Sequence, residues 1–533
     1  MDVTEWFLSA NERGNPATCL DSRHRDGAAW TSGNEVMPLV HGSAYFAELL
    51  RCLGLVREGD LVMFTDWRGD PDQVMDDSGM QVSRALCEAA ARGASVKGLL
   101  WRSHLDRLSF SEQQNRHLGE DINAAGGECL LDMRVRPGGS HHQKFVVLRH
   151  PSRPELDVAF VGGIDLCHSR RDDHAHRGDP QKQPMAKVYG DRPPWHDIQL
   201  SLRGPAVGDV EAVFRERWED PAPLTRNPVN RISEMIHRDA VTPGPLPPAE
   251  ADPAPAGSAH VQLVRTYANR HPGYPFAPDG ERSVARAYEK VVARARSLIY
   301  VEDQYLWSGE IVHCFVSALR ANSDLHLMAV IPHHPDQDGR FSQPPNLVGR
   351  QQALDELAAA APGRVSIYGI ENHASTPVYV HAKVCVVDDV WASVGSDNIN
   401  RRSWTHDSEL SSAVLDSVLD AREPQVVDRF GHGARRFARE LRLELSREHL
   451  DRQSGDDADL LDPAHAFAAF AASAERLQRW HDSDRIEPRP PGRLRPYRAP
   501  RLSRRTLAWA TPLYRIIYDP DGRPLRMRYT KRI

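Results

Sequence analysis

The sequence predicts an α/β protein of two similar lobes with a C-terminal helical extension, and three observations predict it. Helical and strand-like apolar patterns alternate in both halves of the 533-residue chain, as expected for helices layered on a sheet. A stretch rich in Pro, Ala and Gly, VTPGPLPPAEADPAPAG from Val241 to Gly257, reads as an extended connector between the halves. A set of polar motifs recurs in the same order on either side of it. A chain this long exceeds one ordinary core. The expected units are an N-terminal lobe at 1–240, the connector at 241–257, a C-terminal lobe at 258–423 and the extension at 424–533.

In the first lobe Val82, Leu86 and Ala89 to Ala91 form a helical stripe that ends at Gly93, and Val96 to Trp101 reads as a strand. In the second, Val284, Tyr288, Val291, Val292 and Ala295 recur at helical spacing before a strand from Leu298 to Val301. A helix from Ile311 to Leu319 then leads into a strand from Leu325 to Ile331. Beyond Pro424 the pattern changes. Phe437, Leu441 and Leu445 mark an amphipathic helix, and Ala464 to Trp480 another. Pro488 to Pro500 is rich in Arg and Pro, and Asp519 to Gly522 is a turn. The aromatic stretch Trp509 to Tyr518 reads as core packing rather than as a membrane-contacting lip. The extension shows no catalytic constellation.

With 26% charged and 40% hydrophobic residues, the composition is that of a globular protein. The net charge of −6 counts against a dedicated nucleic-acid binder. Seven scattered cysteines without a CxxC pair suit reduced thiols rather than a disulfide framework or zinc site. The N-terminus lacks a signal-peptide pattern, and nowhere do about 18 apolar residues run together. The expectation is a cytoplasmic protein, peripheral to the membrane if its substrate is a lipid, with no nucleic-acid or protein partner.

The chemistry lies in two histidine–lysine motifs. His381-Ala382-Lys383 precedes the apolar run Val384 to Val387, then Asp388 and Gly395-Ser396-Asp397-Asn398. On a strand, residues two apart share a face, so the imidazole and ammonium can meet one phosphate. The lysine neutralises its oxygens while the histidine attacks phosphorus or protonates a leaving oxygen. His142-Gln143-Lys144 precedes Phe145 to Leu148 and later Gly162-Gly163-Ile164-Asp165. Here Arg149 stands where the second motif has Asp388, and six extra residues fall within Arg149 to Asp157.

A third correspondence sets Trp195-His196-Asp197-Ile198-Gln199-Leu200 against Thr405-His406-Asp407-Ser408-Glu409-Leu410 without gaps. A reacting histidine needs an acceptor on its other ring nitrogen; Asp197 and Asp407 are the candidates, with Glu409 an alternative. The first copy carries 23 extra residues within His168 to Pro194, expected as a polar loop near the site. The run His168, Asp172, Asp173, His174 and His176 lacks a fixed ligand geometry and reads as solvated or substrate-facing, so no metal is expected.

These segments, with TDWR (Thr65 to Arg68), LLWRSH (Leu99 to His104) and IYVEDQYLW (Ile299 to Trp307), resemble the phospholipase D family over residues 10 to 450. The style is that of its plant and other eukaryotic-type members. The resemblance implies two lobes sharing one active site at a pseudo-twofold interface. It implies that His142 attacks to form a phosphohistidine and that His381 serves as acid and then base. Lys144 and Lys383 would clamp the phosphoryl oxygens, with Asn398 adding a hydrogen bond, and no cofactor or metal would be needed at the chemical step. Asp197, Asp407 and Asp388 join these as catalytic candidates; Gly163, Asp165, Ser396, Asn398, Glu302 and Gln304 are the substrate-binding candidates. About 60 residues precede TDWR, so no C2- or PH-like module is expected.

The expected reaction is hydrolysis, or alcohol exchange, at the distal phosphodiester of a glycerophospholipid at a membrane surface. The alternatives are a phosphatidylserine- or cardiolipin-synthase-like transferase, a nuclease or other phosphodiesterase, and a non-catalytic phosphate- or membrane-binding relative, the last motivated by Arg149.

Overall fold

The computed structural model describes residues 2–24, 26–103, 112–237, 239–339, 343–426, 433–498 and 500–530. His104, at the end of the LLWRSH segment, lies outside them.

The N-terminal lobe contributes β1 (Thr31–Val40), β2 (Leu61–Asp66), β3 (Ser95–Trp101), β4 (Glu128–Asp132), β5 (Phe145–Arg149), β6 (Val158–Gly162), β7 (Trp195–His196) and β8 (Ile198–Arg203). The C-terminal lobe contributes β9 (Ala259–Tyr267), β10 (Glu281–Arg282), β11 (Leu298–Glu302), β12 (His326–Val330), β13 (Val365–Glu371), β14 (Pro377–Val380), β15 (Val384–Val387), β16 (Trp391–Gly395) and β17 (Glu409–Asp416). Strand neighbours run β4-β3-β2-β5-β6-β8-β1 in one lobe. They run β13-β12-β11-β15-β16-β17-β9 in the other. The two orders are the same, and β1 pairs antiparallel with β9, so the sheets join about a pseudo-twofold.

Within each lobe the parallel neighbours are joined by helices, as parallel connections require. Val82–Ala91 and Glu112–Ala124 link β2, β3 and β4; Gly309–Ala321 and Gln343–Ala360 link β11, β12 and β13. Strands β5 and β15 are covered on both faces, which is why their sequences are unbroken apolar runs rather than alternating ones. One core cluster crosses the lobes. Met63, Val147 and Leu200 meet Leu263, Tyr300, Val386 and Val394, closed by Phe437, Leu441 and Leu445 of the helix Arg436–Leu450.

The extension is not purely helical, and it shares the main core. Leu494–Pro496 forms β18 against β13, adding an edge strand where proline is tolerated. The stretch from Trp509 is amphipathic rather than simply core: Ala510 and Tyr514 pack on Trp307 and Val348, while Ile516 and Ile517 are 73% and 57% exposed. Residues 241–257 hold no helix or strand. They are pinned to the N-terminal lobe, where Gly244 N–H donates to Glu128 at 2.6 Å and Arg149 donates to the Ala251 carbonyl at 2.5 Å. No described helix is long and apolar enough to cross a membrane.

Candidate active site

Both histidine–lysine motifs sit immediately before the central strand of their lobe, β5 or β15. His142 N–H donates to the Ser408 carbonyl at 2.9 Å, and His381 N–H to the His196 carbonyl at 2.8 Å. Each lobe's motif is therefore threaded beside the other lobe's chain. Each lysine folds back on its own histidine: Lys144 Nζ donates to the His142 carbonyl at 2.9 Å, and Lys383 Nζ to that of His381.

The rings are held across the lobes. His381 Nδ1 lies 2.6 Å from Asp197 Oδ2, and His142 Nδ1 lies 2.8 Å from Glu409 Oε2. An Nδ1–H donated to a carboxylate leaves the Nε2 lone pair for chemistry.

Strand register corrects the gapless sequence match. Gly162 pairs with Gln199, and Gly395 pairs with Ser411, so the structural counterpart of Asp197 is Glu409, two residues beyond Asp407. A shift of two keeps the same face of a strand, which is why the similar letters misled. Asp407 instead accepts the Ser140 N–H at 2.9 Å and Arg402 Nε at 2.6 Å. Ser396 donates its hydroxyl to Glu409 at 2.6 Å, so it steadies that carboxylate rather than facing substrate. At Gly163 a Cβ would lie 2.3 Å from the Asp197 carboxylate, and only glycine leaves that carboxylate its place.

Asp388 is not at the site. It stands at the far end of β15, in a two-residue turn with Asp389, both with positive φ. It accepts the N–H groups of Arg296, Ser297 and Leu298 at 2.7–2.9 Å, securing the start of β11. Arg149 occupies the matching end of β5, roughly 20 Å of strand from His142. It is buried against Glu211 at 3.1 Å and Asp157 at 3.4 Å. The missing aspartate therefore alters a strand end, not the chemistry.

Other candidates divide. Gln304 accepts from Lys383 Nζ at 3.3 Å and donates to Tyr379 Oη at 2.8 Å, so it borders the site. Asp165 lies 3.5 Å from Lys144 Nζ; its counterpart Asn398 has a buried side-chain oxygen without a hydrogen-bond partner. Glu302 does not line the site. It is fully buried behind it, bonded to His196 at 2.6 Å and His449 at 2.7 Å.

The inserted loop reaches the site through Arg170, which no motif in the sequence marks. Its guanidinium lies 3.9 Å above the Trp195 ring and 3.4 Å from Asp165, and the Trp195 ring is 5.0 Å from that of His381. Trp67 of TDWR sits edge-on to His142 at 6.5 Å. Of the His/Asp run in this loop, His168 bonds to Asp72 and Asp172 accepts backbone N–H groups; only His176 joins other histidines.

Electrostatics follow from burial and two lysines. Burial and the Lys144 and Lys383 charges hold His142 well below its ordinary value, and burial with Lys383 takes His381 to about 3. Burial lowers Lys383 to about 8, against the pull of Asp197. Burial and neighbouring Asp407 push Glu409 up to about 8. Burial opposes ionisation of Asp197, yet the His381 and Lys383 interactions hold it at about 2. The site is built to receive an anion.

Residues 127–311 match the family model described as "Phospholipase D", and residues 292–426 that of "Cardiolipin synthase, PLD-like domain". Each match contains one histidine–lysine pair, and together they span more than half the chain. The chain belongs to the phospholipase D superfamily. It is 25% identical over 507 residues to phospholipase D alpha 1 of Zea mays, covering 75% of this chain and 60% of that one. It is 27% identical over 353 residues to phospholipase D1 of Homo sapiens, covering 58% and 32%. Against phospholipase D1 of Saccharomyces cerevisiae the identity is 24% over 527 residues, covering 81% and 30%. The chain thus spans at most about 60% of these phospholipases D. Among solved structures, the phosphatidylserine synthase of Haemophilus influenzae aligns at 10% identity and a TM-score of 0.48, covering 73% of this chain and 84% of that one.

Proposed function

We propose that this phospholipase D-superfamily protein is an enzyme that cleaves the distal phosphodiester of glycerophospholipids, passing the phosphatidyl group to water or an alcohol. The observation that carries the reading is the reciprocal grip of Asp197 on His381 and Glu409 on His142, which readies two opposed imidazoles for one phosphate. His142 Nε2 attacks phosphorus while Lys144 and Lys383 hold the non-bridging oxygens. The P–O bond to the headgroup breaks, and protonated His381 gives its proton to the leaving alcohol. Neutral His381 then takes a proton from water; the hydroxide attacks phosphorus, the P–N bond breaks, and phosphatidic acid leaves with His142 restored. An alcohol in place of water gives a phosphatidyl ester. The arriving phosphodiester offsets the two lysine charges, which favours protonation of His381 once substrate is bound.

Two exposed apolar surfaces suit a membrane-borne substrate. The helix Pro228–His237 exposes Val229, Ile232, Met235 and Ile236, and it is tied towards the site through Glu234 to Arg102, next to Trp101, which stacks on Trp67. Ile516 and Ile517 are exposed where Arg402 joins the Ile517 carbonyl to Asp407.

Incubation with phosphatidylcholine vesicles and ethanol tests the reading. Choline and phosphatidylethanol are the expected products. Cleavage of an oligonucleotide with neither lipid product would overturn it.

A further inference from the structure

Behind the active site, three histidines from separate segments converge on one carboxylate. His41 Nε2 lies 2.6 Å from Glu448 Oε2, His176 Nε2 2.8 Å from Glu448 Oε1, and His196 Nδ1 3.3 Å from the same oxygen. All four ligand-type atoms lie within 4.8 Å of one another, and the three histidines are buried. His41 precedes the helix Gly42–Leu53, His176 lies in the inserted loop, His196 is in β7, and Glu448 is in the last turn of Arg436–Leu450.

The outer nitrogens show which way the rings are set. His176 Nδ1 meets the Trp195 carbonyl at 3.1 Å, and His196 Nε2 meets Glu302 Oε2 at 2.6 Å. Glu302 is itself fixed by His449 at 2.7 Å and by the Tyr300 hydroxyl. A carbonyl or carboxylate on the outer nitrogen takes its N–H and turns the inner lone pair towards the cluster, the arrangement that orients metal-bound imidazole. Held by protons alone, the cluster needs His176 protonated at both nitrogens and still leaves His196 Nδ1 buried without a hydrogen bond. One divalent cation accepts every inward lone pair. His41 Nδ1 is buried without a hydrogen-bond partner, and His41 and His176 both hold positive φ (70° and 51°), a conformation rarely adopted without cause.

We propose that His41, His176, His196 and Glu448 form a structural binding site for one divalent transition-metal ion, with zinc the best match. Three imidazoles and a carboxylate in a closed set suit zinc, and four protein ligands leave no open position for substrate or water. The ion would fasten Glu448, in the C-terminal extension, to three points of the N-terminal lobe. It would also hold the His196–Asp197 pair, whose carbonyl and carboxylate together position His381. The metal takes no part in the phosphoryl step.

Elemental analysis of the full chain, produced with zinc available and dialysed, is the test. About one zinc per chain is expected. X-ray absorption on the same wild-type sample should show imidazole nitrogens and a carboxylate oxygen at about 2.0–2.2 Å. Cobalt added to chelator-stripped protein should give the visible absorption of a tetrahedral site. His176→Ala and Glu448→Gln should lose the ion, while Glu302→Gln, which changes the carboxylate holding the outer nitrogen of His196, should weaken its affinity about 10- to 100-fold. Folded wild-type protein that holds no stoichiometric metal after zinc or cobalt addition overturns the proposal. So does a metal whose absorption spectrum lacks imidazole ligands, or one retained in full by folded Glu448→Gln.

Discussion

Asp197, on the N-terminal lobe, holds Nδ1 of His381, on the C-terminal lobe, at 2.6 Å. Glu409 returns the same grip on His142 at 2.8 Å. Neither motif histidine takes its carboxylate from its own lobe, so the site exists only where the two meet.

Asp197→Asn and Glu409→Gln preserve shape but replace the charged acceptor that sets the ring tautomer. Each should lower kcat by about 10³–10⁴-fold with KM little changed. Asp407→Asn, which touches neither ring, should cost about tenfold or less. Steady-state kinetics on phosphatidylcholine check the contrast; equal losses at Asp407 and Glu409 would restore the gapless pairing.

The pH profile follows from Glu409 and Lys383. In the proposed mechanism His142 is an oriented nucleophile only when Glu409 is ionised, and Glu409 is raised to about 8, so kcat, which reports the substrate complex in which His381 holds its proton, should rise as pH climbs. Lys383 is lowered to about 8 and stops neutralising the phosphate once it loses its proton, so the rate should fall above it. A bell-shaped kcat profile is expected, and Glu409→Gln should remove its acid limb.

Arg149 and Asp388 should matter for stability and not for chemistry. Arg149→Met takes the buried guanidinium from Asp157 and leaves Glu211 with Arg215 alone, at a cost of about 3 kcal/mol. Asp388→Ala removes the acceptor of three backbone N–H groups, at a cost of about 2–4 kcal/mol. Thermal melts should show both losses, while kcat of the folded protein at low temperature stays within about threefold. A large loss of kcat in folded Arg149→Met would return that residue to the active site.

The exposed face of Pro228–His237 should act on lipid surfaces alone. Serine at Ile232, Met235 and Ile236 should raise the apparent KM on phosphatidylcholine vesicles by about tenfold, through lost apolar insertion. Turnover of a monomeric short-chain substrate should not change.

What the sequence disclosed was what lies close along the chain. The helix–strand alternation, the connector and the pairs His142/Lys144 and His381/Lys383 were legible, because period and short spacing carry them. Which carboxylate holds which ring was not, since it depends on strand register between lobes. Asp388 was grouped with the site because it follows Lys383 closely, yet the length of β15 carries it away. Glu302 follows the same logic, at a strand end whose side chain turns inward. His41, His176, His196 and Glu448 lie in four separate segments, and no periodicity links them. The Pro-containing strand Leu494–Pro496 was hidden because proline reads as a breaker unless an edge is known.

Trapping the proposed phosphohistidine tests the shared-site chemistry most directly. Lipid labelled in the phosphatidyl group is mixed with enzyme and quenched in base, where phosphohistidine survives, and the labelled peptide is identified. Label on the peptide containing His142, absent from His142→Ala, is the predicted result. Label on His381 instead, or turnover that persists in His142→Ala, would contradict it.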